Sequence, residues 1–331
     1  MTISKRTLGS RHVNPVGLGC MNICWAYGPA VADDYAIKLL NRALDIGYDH
    51  LDTARIYGAG KSEALIGTAL KGRRSEYYLA SKTGIIVDGA NRGIDCRPET
   101  IKAACEESLR LLQTDHIDLY YMHRRDFKTP IEESVGAMAE LIKEGKIGGI
   151  GLSEMSADTL RRAHATHPIT AMQTEYSLMT RQAEIAVLDT CKELGVTFVA
   201  FSPVARGYLS NTFQPGNEWQ KGDLRANWPR FVEPHYSENM KLADAFKAIA
   251  DEEGVTPAQL SLGWLHMQGD HIVTIPGTQR IDHMEENIAR WDYAPSDAVL
   301  ATLDALINRE TVSGGRYPPS MQATIDTEEF A

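Results

Sequence analysis

Ile117-Asp118-Leu119-Tyr120-Tyr121-Met122-His123 is a short apolar run that closes on a histidine, and Pro130-Ile131-Glu132-Glu133 soon afterwards opens a helix-period segment. Proline suits the first helical turn and early carboxylates suit the positive end of the helix dipole, so the pair predicts a strand followed by a helix. Outward from this unit the same alternation fills the chain. Apolar runs near 16–21, 47–52, 77–82, 117–123, 147–152, 169–173, 196–202 and 271–276 alternate with helix-like stretches at 33–46, 61–71, 98–113, 131–144, 156–166, 181–194 and 238–268, and another at 281–290 follows the last run. Eight strand–helix units in one chain predict an α/β fold, a (β/α)8 TIM barrel, because an open sheet seldom carries eight such units in a row. Ahead of the first unit, Ile3 to Val16 holds two short runs around Gly9-Ser10, which predicts a β-hairpin capping the barrel bottom. The long loops 20–32 and 203–237 are expected at the C-terminal face, where long connections tend to be functional.

Length and charge narrow the partners. The 331 residues, 43% apolar and 24% charged, can bury one large core, and no Pro/Gly/Ser-rich linker divides them, so 1–331 reads as a single domain. A formal net charge of -10 would repel a phosphate backbone or an anionic bilayer, which argues against nucleic-acid and membrane binding and requires any anionic cofactor to find a local basic pocket. No stretch approaches a membrane span and no apolar segment follows the N-terminal Met1-Thr2-Ile3-Ser4-Lys5-Arg6, so a cytoplasmic location is expected. Cys20, Cys24, Cys96, Cys105 and Cys191 form no CxxC or Cys/His pattern, and reduced thiols without a metal are expected. Self-association into a homo-oligomer is left open.

Four polar residues stand at strand ends: Asp52 closes Tyr48-Asp49-His50-Leu51-Asp52, Tyr57 lies in the loop behind it, Lys82 closes Tyr77-Tyr78-Leu79-Ala80-Ser81-Lys82, and His123 closes the run quoted first. A phenol is a poor acid at neutral pH and needs a cation beside it, for which Lys82 is the candidate, with Asp52 to keep that lysine charged. His123 could hold a carbonyl oxygen against the phenol, and Tyr57 could protonate that oxygen as charge develops on it. No GxSxG element, metal cluster or active-site cysteine supplies the electron pair, so a hydride from a nicotinamide completes the reaction. Gly58-Ala59-Gly60-Lys61-Ser62 lacks the spacing of a phosphate loop and reads as a turn and helix start.

These residues carry a resemblance that covers nearly the whole chain. His50-Leu51-Asp52-Thr53-Ala54-Arg55-Ile56-Tyr57-Gly58, Ser81-Lys82-Thr83, Asp118 to Arg124, Gly151-Leu152-Ser153-Glu154, Gln173-Thr174-Glu175-Tyr176-Ser177, Phe201 to Leu209 and Ile275-Pro276-Gly277-Thr278 resemble the signatures of the aldo-keto reductase family. The chain is most similar to its pyridoxal reductase-like and auxin-induced-like branch, a likeness that Asp223-Leu224-Arg225 and Pro229-Arg230-Phe231 share. The resemblance implies NADPH lying across the strand C-termini and reduction of aldehydes or ketones. It puts Asp52, Tyr57, Lys82 and His123 at the catalytic positions with Tyr57 as general acid. Ser153 and Gln173 would hold the nicotinamide carboxamide, Phe201 would stack on its ring, and Ser202, Val204, Arg206 and Gly207 would line the pyrophosphate. Glu154 replaces the family's usual Asn. At the adenine end Gly277, Thr278, Arg280, Glu286 and Asn287 are expected, where free backbone N–H groups at a helix start favour a phosphate. Gly277 and His283 stand where the family usually has Lys and Arg, which leaves Arg280 as the main cation for a 2'-phosphate. Met21, Trp25, Tyr27 and Arg124 would line the substrate mouth, with Arg125 and Phe127 beside it and Tyr208 and Trp228 closing it from the second loop. The alternatives are an alcohol or sugar dehydrogenase running the same chemistry in reverse, and a cofactor-binding regulatory subunit.

Overall fold

Eight parallel strands, β3 (Leu18–Gly19), β4 (His50–Asp52), β5 (Tyr78–Thr83), β8 (Leu119–Met122), β9 (Ile150–Ser153), β10 (Ala171–Glu175), β11 (Thr197–Phe201) and β12 (Ile272–Ile275), hydrogen-bond in that order in a computed structural model that describes residues 3–88, 91–213, 216 and 218–330. First and last strands meet: Gly17 N–H donates to the Thr274 carbonyl at 2.8 Å and Gly19 N–H to that of Pro276 at 3.1 Å. A Cβ on Gly19 would lie 2.7 Å from the Ile275 carbonyl oxygen, so this seam requires glycine. The result is a (β/α)8 barrel, as the alternating pattern predicts.

The expected hairpin is β1 (Arg6–Leu8) paired with β2 (Arg11–Val13), turning through Gly9. Leu8 and Val13 are buried among Tyr78, Ala80, Leu119, Ala171, Val199 and Val273, the inward side chains of the barrel. The hairpin therefore plugs the bottom and leaves the opposite end for chemistry. Outside the barrel, α1 (Asp33–Asp45), α2 (Lys61–Ala69), α3 (Pro98–Leu112), α4 (Ile131–Lys143), α5 (Ala157–Thr166) and α6 (Val187–Leu194) pack their apolar faces on the strands, as with Leu39, Leu40, Leu109, Met138 and Leu160 against Leu51, Leu79, Met122 and Leu152.

Three features depart from the sequence reading. The stretch 238–268 is two helices, α7 (His235–Glu252) and α8 (Pro257–Met267). Gly254 takes a left-handed φ of 66°, Thr256 caps the next helix by a reciprocal box with Gln259, and Pro257 starts it, so three local signals outweigh the continuous periodicity. An antiparallel hairpin, β6 (Ile85–Asp88) and β7 (Asn91–Ile94), is inserted between β5 and α3. Finally, α9 (Ile281–Ala289) is followed by α10 (Asp297–Leu306) and a segment that returns over the open end of the barrel, where Asp326 accepts from Ser156 N–H at 3.0 Å.

Candidate active site

Asp52, Lys82 and His123 converge because β4, β5 and β8 are adjacent and in register, with Asp52 opposite Ala80 and Lys82 opposite Tyr121. Tyr57 joins them by a turn. The β4–β5 ladder continues past Asp52 through Thr53 N–H to Ala80 and Arg55 N–H to Lys82, which carries the chain back over the strand ends. Residues Tyr57–Gly60 then reverse it, with Gly58, Ala59 and Gly60 all at positive φ. Thr53 Oγ1 donates to Ser62 Oγ at 2.8 Å and ties this turn to α2.

Lys82 is buried, and its Nζ is shared among the Asp52 carboxylate, the Thr53 carbonyl at 2.8 Å and the Tyr57 hydroxyl at 3.4 Å. Burial alone would depress the ammonium, but Asp52 and Tyr57 outweigh it and hold Lys82 above the ordinary lysine range. Burial pushes the Tyr57 phenol up, and Lys82 pulls it back only in part. Burial likewise pushes His123 well below the usual imidazole range, and Arg124, Lys82 and Arg92 add to that, so the ring is neutral at pH 7. Its ring meets the Tyr57 ring edge to face at 5.8 Å between centroids, and Trp25 stacks on Tyr57 at 6.1 Å.

These groups form one end of a cleft of ≈680 Å³. Along it lie Met21, Trp25, Tyr27, Asp52, Tyr57, His123, Arg124, Ser153, Gln173, Phe201, Ser202, Val204, Arg206, Gly207, Gly277, Thr278, Arg280, Glu286 and Asn287, as expected, whereas Lys82 is buried behind the wall and Arg125, Phe127 and Tyr208 do not line it. Ser153 Oγ is buried with no partner among the described residues. Gln173 is also buried, but its amide donates to Asp52 Oδ2 at 2.8 Å, so it braces the carboxylate that holds Lys82. Ser202, Ala205, Arg206 and Glu154 all have φ between 49° and 57°, a conformation that costs non-glycine residues of order 1–3 kcal/mol and clusters at functional sites.

Arg206 departs from the simple picture of a phosphate cation. Its guanidinium is buried on the Glu175 carboxylate and lies 4.0 Å over the Trp228 ring and 4.6 Å over Tyr317. Arg316 joins the same network, donating to Glu175 at 2.7 Å and to Glu154 at 2.5 Å, which gives Glu154 a structural partner. Arg280 is exposed and paired with Asp282. Tyr208 does not line the cleft: it packs on Phe213, Phe231 and Tyr236, and its hydroxyl donates to the Arg230 carbonyl. Phe127 is 63% exposed and Arg125 donates to the Asp126 and Thr129 carbonyls, so both stand outside the cleft wall. Several lining residues escaped the sequence reading, Arg92, Tyr317, Met321 and Asn22 among them. Arg92 comes from the unforeseen β6–β7 hairpin, Tyr317 and Met321 from the returning segment, and Asn22 is brought in where Gln279 Nε2 donates to its carbonyl at 2.7 Å. None carries a motif; the cluster Arg225-Ala226-Asn227-Trp228 would have been the nearest signal, because Arg225 packs 4.4 Å over Tyr27 and joins the two long loops.

Among the described residues no group of histidine, cysteine and carboxylate side chains could hold a metal ion, and all five cysteines are free and buried. No helix is long and apolar enough to cross a membrane, judged over the described residues.

A model of the aldo/keto reductase family matches residues 15–308. The chain is 37% identical over 332 residues to the aldo-keto reductase yakc [NADP(+)] of Schizosaccharomyces pombe, covering 98% of this chain and 97% of that protein. It is 39% identical over 340 residues to the aldo-keto reductase str7 of Strobilurus tenacellus, covering 100% and 99%. Among solved structures, a glycerol dehydrogenase from Gluconobacter oxydans superposes with a TM-score of 0.84 at 26% identity over 96% of this chain and 98% of that one. An aldo-keto reductase from Klebsiella pneumoniae in complex with NADPH gives 0.73 at 27% identity over 95% and 99%. By its barrel, the residues gathered at the barrel's open end and these likenesses, the chain belongs to the aldo/keto reductase family.

Proposed function

We propose that this protein is an NADPH-dependent carbonyl reductase in which Tyr57 delivers the proton. The observation that carries the reading is the buried Lys82 ammonium lying between the Asp52 carboxylate and the Tyr57 hydroxyl at the closed end of the cleft. NADP(H) use is supported by the relatives that carry NADP in their names or were solved with NADPH. When bound, the reduced nicotinamide supplies the hydride. The residues fit such a group: the unpartnered Ser153 Oγ can meet its carboxamide, Phe201 can flank its ring, and the N–H groups at the start of α9 can meet a phosphate. Arg280, paired only at the surface, is free to turn to a 2'-phosphate.

The chain's own part is proton handling. A substrate carbonyl seated between neutral His123 and the Tyr57 hydroxyl receives hydrogen bonds from both, and these strengthen as its oxygen becomes anionic. Tyr57 transfers its proton to that oxygen, and the phenolate left behind is stabilised by the adjacent Lys82 ammonium, itself held by Asp52. Gln173 fixes the carboxylate. A second reading, oxidation of an alcohol with NADP+, draws support from the likeness to a glycerol dehydrogenase, with Tyr57 then accepting the proton. Within the family, the placement in the pyridoxal reductase-like branch rests on the Asp223-Leu224-Arg225 segment, and the chain is read as one catalytic domain working in the cytoplasm.

The test is NADPH consumption by purified protein with aromatic, aliphatic and dicarbonyl aldehydes and pyridoxal, run beside Tyr57→Phe. Turnover should fall by about 100-fold or more in the variant, while NADPH affinity stays within about twofold. Near-full turnover without the phenol would sink the assignment.

A further inference from the structure

At the end of the cleft formed by Asp52, Tyr57 and His123 stand two arginines that meet no carboxylate among the described residues. Arg124 follows His123 directly and is only 8% exposed; one of its donors goes to the His123 carbonyl at 2.6 Å, and it makes no ion pair among the described residues. Arg92 reaches the same cleft from β7 and has neither an ion pair nor a hydrogen bond among the described residues. The other arginines of the cleft are matched: Arg206 by Glu175, Arg225 by Asp223 and Arg280 by Asp282. With 44 Asp and Glu against 34 Lys and Arg, carboxylates are in excess, so the bare pair reflects placement rather than shortage.

The two cations also feel one another. Burial and then Arg124 depress Arg92, and the Tyr317 and Tyr57 phenols offset this in part. Like charges brought together in a partly desolvated mouth are unfavourable until an anion sits between them, and a guanidinium fork matches a planar carboxylate. Around them Trp25, Trp228 and Tyr317 give flat apolar walls.

We infer that Arg92 and Arg124 form a subsite for a carboxylate on the substrate, so that the carbonyl compound reduced here is an oxo acid or semialdehyde with an aromatic or flat body. The inference rests on the carbonyl-reductase reading above and narrows it. Docking of the carboxylate on the arginines would hold the carbonyl against Tyr57 and His123 from one side, in a geometry a neutral aldehyde reaches less often.

The experiment compares kcat/KM for 4-carboxybenzaldehyde and the uncharged 4-formylbenzamide, which share a shape, in the native protein, Arg92→Ala and Arg92→Glu. Arg92 projects from a hairpin at the rim of the cleft and keeps part of its surface in solvent, so these variants should fold, and a thermal melt checks it. The native protein should prefer the acid by about tenfold or more. Arg92→Ala should erase most of that preference through KM, and Arg92→Glu should reverse it. No preference in the native protein, or equal losses for both aldehydes, overturns the subsite. If neither aldehyde turns over, the reductase reading is what has failed, and the subsite is then read by binding of benzoate against benzamide to the NADPH-loaded protein through tryptophan fluorescence. Arg92-dependent binding of benzoate alone supports it, and equal binding of both rejects it.

Discussion

Asp52 does more than its short sequence context suggests. One carboxylate oxygen takes the Lys82 ammonium and the other takes the Gln173 amide, and all three side chains are buried. Asp52→Asn would leave Lys82 charged and uncompensated in a low-dielectric site, a change that typically costs about 3–5 kcal/mol. Urea unfolding should register that loss, and kcat should fall by about 100-fold or more because an ammonium without its carboxylate sheds its proton to relieve the penalty and no longer stabilises a phenolate. The pH dependence follows from the same residues. Tyr57 is held above its ordinary range and therefore keeps its proton through neutrality, so reduction should be level there and decline only at alkaline pH, as the phenol ionises. His123 is depressed in the folded protein, whereas the unfolded chain takes up a proton near 6.5; its contribution to stability is complete above that value and is lost progressively as pH falls below it. The four strand-end residues were legible because a polar side chain closing an apolar run has few structural reasons to be there. What the sequence could not reveal was the balance of forces. Lys82 was expected to lower the phenol, but burial outweighs it, and the depth of a side chain depends on what the rest of the fold stacks above it.

Elements with regular periods were readable and inserted ones were not. The eight strands and their helices announced themselves through alternation, whereas the β6–β7 hairpin, with Ile86 and Val87 exposed, lacks the half-buried alternation that marks a strand in sequence. Its absence from the sequence reading hid Arg92. The break between α7 and α8 was visible in Gly254, Thr256 and Pro257 but was overridden by a continuous apolar period on both sides. At α9 the helix start carries the next prediction. Arg280 N–H is tied to Thr278 Oγ1 at 3.0 Å, and the exposed guanidinium rests on Asp282. Arg280→Ala should raise the Kd for NADPH by about tenfold and change that for NADH far less, as titration of protein fluorescence with each cofactor would measure. Equal losses would place the 2'-phosphate elsewhere.

At the scale of the whole molecule, Glu154, Glu175, Arg206 and Arg316 bind the returning C-terminal segment to the ends of β9, β10 and β11. Desolvation would raise the Glu175 carboxyl, but Arg206 and then Arg316 hold it well below the usual carboxylate range. The unfolded chain binds that proton near 4.5, so the network's stabilisation is full above this pH and disappears as pH falls through the folded value. Glu175→Gln should cost about 3–5 kcal/mol at neutral pH by leaving buried guanidinium groups under-compensated. Its stability should also change less than the native protein's between pH 7 and pH 4, in urea titrations at both. These partners are separated by up to 162 positions, and no local pattern in the sequence links them.

The seam between β3 and β12 sets an order on synthesis. Asp52, Tyr57, Lys82 and His123 are all made by residue 123, yet the bonds that close the barrel join Gly17 to Thr274. A nascent chain arrested before residue 272 would carry these four residues on an unclosed sheet, with the edges of β3 and β11 both open to pairing with other chains. Only the arrival of β12 removes those edges, so the last strand made gives the earliest residues of the proposed site their enclosure.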